Sequence, residues 1–215
     1  MAGKKGVYER FLKRFLDVFC SLCGLIVLSP ILIIVAVVVR FNLGSPIIFK
    51  QDRPGKEEKI FKLYKFRSMA DKRDENGDYL PDVQRMTKFG NALRATSLDE
   101  LPELVNIIKG DMSIVGPRPL DVKYLPYYND EERKRHSVRP GLTGLAQING
   151  RNTVKWEERF AYDIEYVNNI TFTNDIRILL KTVEKVICKN DIGVAGVDRP
   201  ESFHIYREKQ LKCNK

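Results

Sequence analysis

One stretch of the chain, residues 18–39, contains 22 residues without a single charged side chain. About 20 apolar residues cross the hydrocarbon layer of a bilayer as a helix, so this stretch predicts a membrane helix. A buried helix of a soluble core is a poorer explanation, because the run is uncharged on every face. A cleaved signal peptide is also disfavoured, since no small-residue cleavage site follows the run.

Ser29 and Pro30 lie near the middle of this run. Proline removes a backbone donor and clashes with the preceding helical turn. Both flanks are basic, and residues 1–53 contain eight Lys and Arg against three Asp and Glu. Because cytoplasmic flanks carry the excess of Lys and Arg, two basic flanks favour a segment that enters and leaves on one face. We therefore predict a re-entrant helix–break–helix hairpin over residues 1–41, with a straight span as the alternative.

The composition of the whole chain limits the classes of partner. Its 215 residues are 43% hydrophobic and 30% charged, with a net charge of +9. The basic excess suits nucleic acid, anionic lipid or a phosphorylated substrate. The arginines stand beside prolines, glycines and acids rather than in a basic stripe with aromatics, so nucleic acid is not expected. With only two histidines, a multi-histidine metal centre is excluded.

The remainder of the chain predicts an α+β fold, mostly helical with a small sheet. We assign residues 42–200 to one cytoplasmic domain and residues 201–215 to a tail. Alternating apolar residues around a polar turn predict a β-hairpin over residues 46–68. Residues 70–84 are polar and predict an exposed loop. Apolar residues at helical spacing predict helices over 87–96, 97–110, 154–169 and 175–190.

Two adjacent acids, Asp99 and Glu100, are the first candidates for chemistry. Ser97 predicts a helix N-cap, with Glu100 three residues on closing a capping box and Gly110 ending the helix. Both acids would then lie in a first turn, where unpaired N–H groups favour ionised carboxylates and attract phosphate. An ionised Asp99 could attack phosphorus or hold Mg²⁺. The alternative is that both acids only stabilise the start of the helix.

Several cations are candidates for contacts to a phosphate. Pro117 and Pro119 fix the backbone around Arg118, so its guanidinium could be presented with little loss of entropy. Phosphate in a site of low dielectric needs such cations and a divalent metal, because its charge has to be neutralised before an anionic nucleophile approaches. The other candidates are Lys65, Arg94 and Arg151.

The order of these motifs resembles the monotopic phosphoglycosyl transferases, the bacterial sugar transferase family, over nearly the whole chain. Each motif alone is weak, but all of them in this order are specific. Besides the apolar segment interrupted at Ser29 and Pro30, the motifs are "YKFRSM" (64–69), "LRATSLDELPELVNIIKGDMSIVGPRPL" (93–120) and "RPGLTGLAQINGRN" (139–152).

The resemblance implies an enzyme that moves a sugar 1-phosphate from a UDP-sugar to undecaprenyl phosphate and releases UMP. It implies Asp99 as the nucleophile that forms a covalent phosphosugar near Mg²⁺, and an N-acetylated hexosamine derivative as the sugar. It places the protein in the bacterial inner membrane with the active site on the cytoplasmic face. There are two alternatives. The enzyme could transfer the sugar 1-phosphate in one step, with the acids only binding metal, or the protein could be a membrane-tethered anion-binding module without catalysis.

The resemblance also implies roles for further residues. Lys65, Arg94 and Arg118 fall on positions associated with phosphate or nucleotide contacts, and the two flanking prolines with the uridine end. Asp163 and Asp175 match acidic positions of the family and are expected to bind substrate. Their alternative roles are a helix cap or a structural salt bridge.

Overall fold

The computed structural model describes residues 6–150, 154–188 and 201–213. Helices and two small sheets make up the fold, which confirms the predicted α+β class with its helical majority. The elements are α1 (Lys13–Leu43), β1 (Ile48–Pro54), β2 (Ile60–Phe66), α2 (Asp82–Arg85), α3 (Lys88–Ala95), α4 (Glu103–Lys109), β3 (Ser113–Val115), α5 (Asp130–Arg133), β4 (Gly141–Thr143), α6 (Leu145–Ile148), α7 (Trp156–Asn168), α8 (Phe172–Ile187) and α9 (Phe203–Cys213).

The apolar run forms α1, a single helix of 31 residues that follows a π-helical turn at Tyr8–Leu12. The sequence predicts two helices separated at Ser29 and Pro30, whereas the structure keeps both residues inside one helix. Pro30 has no N–H for the carbonyl of Ile26, four residues earlier. The hydroxyl of Ser29 donates a hydrogen bond to that same carbonyl at 2.8 Å, so it replaces the missing donor. Among the described residues, Tyr8–Leu43 is the one helical stretch long and apolar enough to cross a membrane.

Both halves of α1 contact the rest of the protein. In the first half, the Asp17 carboxylate accepts hydrogen bonds from the Ser113 hydroxyl at 2.7 Å and from the Ile114 N–H at 3.0 Å. In the second half, Val35 and Val39 are buried in a cluster with residues of β2 and α3. The two halves of the helix are therefore fixed to the same globular domain.

The predicted hairpin is confirmed. Strands β1 and β2 pair antiparallel, from Ile48 opposite Phe66 to Pro54 opposite Ile60. The polar residues 70–84 are largely irregular apart from the start of α2, as their composition predicts. The hairpin lies against α4, and Lys65 projects from its second strand close to the start of that helix.

A second sheet, which the sequence does not predict as a sheet, joins two glycine-rich loops. Strands β3 and β4 pair in parallel, with Ser113 opposite Gly141 and Val115 opposite Thr143. The two backbone segments approach closely at Gly141, where an added Cβ would lie 2.1 Å from the amide nitrogen of Gly116. Only glycine fits there, and this contact fixes the segment that leads to Arg118.

The segment around Ser97 differs from its prediction. Ser97 adopts a left-handed conformation with φ of 57°, and its side chain caps no helix. Leu98–Glu100 forms a separate 3₁₀ turn, and α4 begins only after Pro102. The predicted capping box is therefore wrong, because proline fits at the start of a helix but not within it. The predicted end at Gly110 is confirmed by its φ of 98°.

The last described helix, α9, lies in the region that the sequence analysis assigns to a tail. Phe203 at its start is fully buried in an aromatic cluster that also contains residues before and within α7. The ring centroid of Phe203 lies 4.9 Å from that of Phe160, with the rings edge to face. Residues 203–213 are thus packed on the domain. The cluster consists of Leu120, Tyr124, Tyr128, Trp156, Phe160 and Phe203.

Candidate active site

A cleft of about 1180 Å³ lies between the hairpin, α3, the 3₁₀ turn at Leu98–Glu100 and the later helices α6 to α8. Predicted site residues from four different parts of the chain line it together. The lining is mixed, and β4, α6 and α8 contribute both apolar residues such as Leu142 and Leu179 and polar residues such as Thr182. The predicted site residues that line the cleft are Lys65, Arg94, Asp99, Glu100, Arg118 and Asp163.

Asn106, a buried residue of α4, holds the hairpin in place beneath the cleft. Its side-chain oxygen accepts a hydrogen bond from the Tyr64 N–H at 3.0 Å, and its amide nitrogen donates to the Lys62 carbonyl at 2.8 Å. These two bonds act like an extra strand pairing and link β2 to α4. The position of Lys65 relative to the acids is fixed as a result.

Arg94 reaches the cleft from the last turn of α3. Gly90, one turn earlier, lies against the Ser68 carbonyl, which an added Cβ would approach to 1.8 Å. This close approach brings the Arg94 guanidinium to Ser68, where its Nε donates to the hydroxyl at 2.9 Å. The helix can approach so closely because glycine has no side chain.

Asp99 is a buried acid, only 6% exposed, on the 3₁₀ turn. Burial and the adjacent charge of Glu100 raise the pKa of its carboxyl to about 6, although Lys65, Arg94 and Arg118 oppose this rise. Within residues 6–150, 154–188 and 201–213, no group donates a hydrogen bond to this carboxylate. Its oxygens are thus available to a ligand in the cleft.

Glu100, the neighbouring acid, is held by two cations. Its Oε1 lies 2.8 Å from the Lys65 Nζ and 2.5 Å from an Arg118 Nη. Burial alone would raise its pKa, but the charges of Arg118 and Lys65 outweigh burial and hold the pKa well below the ordinary value. Glu100 is therefore ionised and orients the cations, and it is less available to substrate than Asp99.

Glu103 is a member of the site that the sequence analysis does not identify. It is 2% exposed, and its Oε1 lies 3.0 Å from the Lys65 Nζ. Burial and the charge of Glu100 raise the pKa of Glu103 to about 7, against the opposing charge of Lys65. Its position three residues after Glu100, one helical turn away, is the signal that could have identified it.

Arg118 is positioned through its backbone by a buried ion pair. Arg135 and Asp163 are each 2% exposed and lie 2.8 Å apart, and the same guanidinium donates to the Arg118 carbonyl at 2.7 Å. The Arg118 side chain remains 41% exposed and can contact a ligand. Pro117 and Pro119 are buried beside a separate small cavity and do not line the cleft. No pattern in the sequence identifies Arg135.

The two acids expected to bind substrate both make structural contacts within the protein. Asp163 accepts two hydrogen bonds from Arg135 at the edge of the cleft. Asp175 lies outside the cleft, where it accepts hydrogen bonds from Tyr8, Lys13 and Tyr166. These contacts match the alternative of a structural salt bridge. Arg151 lies outside the described residues.

The residues present fit a magnesium ion only together with a substrate. In the described part of the chain, no three His, Cys, Asp or Glu side chains are grouped as metal ligands. Mg²⁺ is commonly held by one or two carboxylates with phosphate oxygens and water. The Asp99 carboxylate would be one such ligand, whereas Glu100 is engaged by Lys65 and Arg118.

Comparison with known proteins shows three informative relatives. The sugar transferase EpsL of Bacillus subtilis, described as uncharacterised, is 50% identical over 192 residues, which cover 89% of this chain and 95% of EpsL. Undecaprenyl-phosphate galactose phosphotransferase of Salmonella typhimurium is 41% identical over 85% of this chain and 42% of its own length. UDP-glucose:undecaprenyl-phosphate glucose-1-phosphate transferase of Escherichia coli is 42% identical over 82% of this chain and 40% of its own length.

The match extends over the site and the apolar helix alike. The family model described as bacterial sugar transferase covers residues 8–189, from the turn before α1 to the end of α8. All the described cleft residues fall within that range. The resemblance of the motifs is thus confirmed over most of the sequence, and the chain belongs to the bacterial sugar transferase family.

Proposed function

We propose that this protein transfers a sugar 1-phosphate from a UDP-sugar to undecaprenyl phosphate and releases UMP. The observation that carries the proposal is the state of Asp99, a buried carboxylate without a hydrogen-bond donor among the described residues, facing a cleft that is lined by cations. The names of the Salmonella and Escherichia coli relatives support undecaprenyl phosphate as the acceptor class. Glycoconjugate synthesis at a membrane is the setting that these substrates suit.

The proposed reaction has two steps, both at the phosphorus that bears the sugar. In the first, an Asp99 oxygen bonds to this phosphorus, the bond to the UMP oxygen breaks, and UMP leaves with the electron pair. In the second, a phosphate oxygen of undecaprenyl phosphate bonds to the same phosphorus and the Asp99 carboxylate is released. The product is undecaprenyl diphosphate sugar. Two displacements in sequence split one difficult transfer into two easier ones.

The cations around Asp99 are proposed to bind the phosphates, and the acids beside them to hold these cations in position. Lys65 pairs with Glu100 and Glu103, and Arg118 pairs with Glu100, so both cations are held near Asp99. A diphosphate in the cleft would contact these positive charges, which would stabilise the negative charge that develops during transfer. Glu100 and Glu103 are positioning residues in this scheme, since they fix Lys65.

Mg²⁺ is part of the proposal, with Asp99 and the donor diphosphate as its ligands. When bound, the ion would neutralise part of the diphosphate charge and stabilise the developing charge on the UMP oxygen. The sugar is proposed to be an N-acetylated hexosamine derivative, as the motifs imply. Galactose and glucose are the sugars in the names of the relatives and are the natural comparisons in a donor panel.

The location proposed for the enzyme is the cytoplasmic face of the bacterial inner membrane, with α1 as a re-entrant segment. The contacts of α1 support this topology: Asp17 in its first half and Val39 in its second half are both buried against the same domain. Asp17 and Val39 are about 33 Å apart along the helix, so a straight span would put them on opposite sides of the hydrocarbon layer, where one globular domain could not contact both. The UDP-sugar is soluble in water and the acceptor is a lipid, so the reaction belongs at the interface.

The decisive experiment separates two-step transfer from the one-step alternative. Purified enzyme is incubated with UDP-sugar, Mg²⁺ and radiolabelled UMP, without any acceptor. Two-step transfer predicts that label enters the UDP-sugar, because the covalent phosphosugar can return to UMP. Normal product formation without this exchange would contradict the covalent step, and absence of UMP release with every UDP-sugar and acceptor tested would contradict the proposed function itself.

A further inference from the structure

Helix α9 lies beyond the part of the chain that the family model matches, and the proposed reaction gives it no role. The match ends at residue 189, whereas α9 covers Phe203–Cys213. Terminal segments are commonly poorly ordered unless contacts attach them to a domain. Phe203 is nevertheless fully buried. The residues that Phe203 contacts therefore indicate what α9 does.

Phe203 packs against the two aromatic rings that border Arg135. Its ring stacks on the Tyr128 ring with the centroids 5.3 Å apart, and it meets the Phe160 ring edge to face at 4.9 Å. The central carbon of the Arg135 guanidinium lies 5.8 Å from the centroid of each of these two rings. The same guanidinium donates a hydrogen bond to the Tyr128 hydroxyl at 3.4 Å. Phe203 thus fixes the aromatic side chains against which Arg135 packs.

Arg135 connects this aromatic cluster to the cleft. It forms a buried ion pair with Asp163, and separating the partners of such a pair is strongly destabilising, so the guanidinium is held in place. It also donates to the carbonyl of Arg118 at 2.7 Å. A shift of the Tyr128 and Phe160 rings would therefore disturb the guanidinium and, through it, the backbone of Arg118.

Polar side chains of α9 hold the same region of the domain. Arg207 pairs with one carboxylate oxygen of Glu132, whose other oxygen accepts the capping-box hydrogen bond at the start of α5. The hydroxyl of Tyr206 donates to Glu157 in the first turn of α7. Helix α9 therefore joins α5 to α7, the helix that carries Asp163.

We propose that α9 is a positioning element for the donor: Phe203 and Arg207 hold the aromatic cluster and α5 in place, and thereby hold Arg118 where it contacts the diphosphate of the UDP-sugar. Neither residue lines the cleft, so both would act through Arg118. The inference rests on the proposed function, in which Arg118 contacts that diphosphate. Misplacement by about 1 Å can lower a rate about 100-fold even when the changed residue is far from the chemistry. The effect of α9 should fall on the donor and spare the lipid acceptor.

The test is a double-mutant cycle between Phe203 and Arg118. Phe203→Leu keeps the position apolar but removes the ring, and Arg118→Ala removes the guanidinium. The two single variants and the double variant are assayed for UMP release, first with the UDP-sugar varied and then with undecaprenyl phosphate varied. Lys209→Gln is the matched control on the same helix, because Lys209 pairs with Glu201 at the surface and its side chain is 65% exposed. Thermal unfolding shows whether each variant is folded at the assay temperature.

We expect Phe203→Leu to lower kcat/KM for the UDP-sugar about tenfold, mainly by raising KM, and Lys209→Gln to have no effect. The KM for undecaprenyl phosphate should change less than about twofold. In the Arg118→Ala background, Phe203→Leu should lower kcat/KM less than about twofold, because residues that act through one another are not additive. An equal loss in both backgrounds would show that Phe203 only supports the fold, and this result, or an equal rise in both KM values, would overturn the proposal.

Arg207→Gln takes the place of Phe203→Leu in the cycle if the latter variant does not fold. It removes the pair with Glu132, and Arg207→Lys, which keeps the charge, should restore most of the lost kcat/KM. Equal activity of Arg207→Gln and the unsubstituted protein would then overturn the proposal. Absence of UMP release from the unsubstituted protein with every UDP-sugar tested would contradict the proposed function and this inference together. Normal UMP release with equal losses in both backgrounds contradicts the role of α9 alone.

Discussion

The protein contains two clusters of buried charge, and they differ in how fully their acids are hydrogen-bonded. At the junction between α1 and the domain, the Asp175 carboxylate accepts from Lys13 and from two tyrosines, and Asp17 accepts from Ser113 and Ile114. In the cleft, Asp99 receives no hydrogen bond from the described residues. Burying a charge is costly unless the charge is paired and hydrogen-bonded, so a fully bonded acid stabilises the fold. An acid that lacks these bonds costs stability and remains able to react.

The largest expected effect is on catalysis at Asp99. Asp99→Asn removes the attacking oxygen anion, so we expect turnover to fall at least about 10³-fold. The assay is UMP release from the UDP-sugar in the presence of undecaprenyl phosphate. If the variant kept more than a few per cent of the normal activity, Asp99 would not be the nucleophile.

The same variant should be more stable than the unsubstituted protein. Because the folded-state pKa of Asp99 is raised to about 6, its ionised form destabilises the fold above that pH and has no such effect well below the ordinary pKa near 4. At pH 8 the amide should therefore raise stability by about 1–3 kcal/mol. Thermal unfolding in detergent at pH 8 measures this gain, and a clear loss of stability would show that Asp99 has structural partners.

The matched substitution at the helix junction should have the opposite effect. Asp175→Asn leaves the Lys13 ammonium buried without its counter-charge, so we expect a loss of about 3 kcal/mol in the free energy of unfolding. Activity per folded molecule should stay close to normal. A large fall in turnover without loss of stability would instead support the substrate-binding role predicted for Asp175.

Glu100→Gln tests whether the neighbour of Asp99 acts by fixing cations. Lys65 and Arg118 would lose the charge that holds both of them, and we expect about a 10–100-fold fall in kcat/KM. Removing this charge also removes one cause of the raised pKa of Asp99. The fall of kcat/KM on the acid side of its pH profile should therefore begin at a lower pH. A general loss of folding would not produce this change.

The smallest effect is the pH dependence of the unsubstituted enzyme. Asp99 must be ionised to attack phosphorus, so kcat/KM should fall about tenfold per pH unit below the pKa of about 6. The profile is measured with the donor below its KM, where it reports on the free enzyme. Constant kcat/KM down to pH 4.5 would show that Asp99 is much more acidic than its burial implies.

Elements governed by neighbouring residues were predictable from the sequence. The hairpin was predicted from alternation, α7 and α8 from apolar spacing, and the end of α4 from Gly110. The capping box was not, because Pro102 interrupts the pattern and the backbone at Ser97 turns left-handed. Ser97 and Glu100 each carry a local signal for a helix start, but Pro102, two residues after Glu100, moves the start of α4 beyond both of them.

Contacts between distant residues were harder to predict. Parallel pairing of β3 with β4 joins residues 28 positions apart, and each strand has only three residues. Arg135 reaches both Asp163 and the Arg118 backbone, although no spacing in the sequence relates these residues. Helix α9 lacks a strong apolar face of its own and is attached through Phe203 and through polar contacts such as that of Arg207 with Glu132. The site was located through its motifs, while the residues that hold it in shape became visible only in three dimensions.

The hydrogen bond from Ser29 to the Ile26 carbonyl has a consequence for how this helix can change during evolution. Loss of Ser29 alone would leave a carbonyl unsatisfied in hydrocarbon beside a proline that cannot help it. Loss of Pro30 first restores the ordinary backbone donor and makes the serine dispensable. Descendant sequences that lack this pair should therefore have lost the proline before the serine, and those that keep the proline should retain a small hydroxyl residue before it.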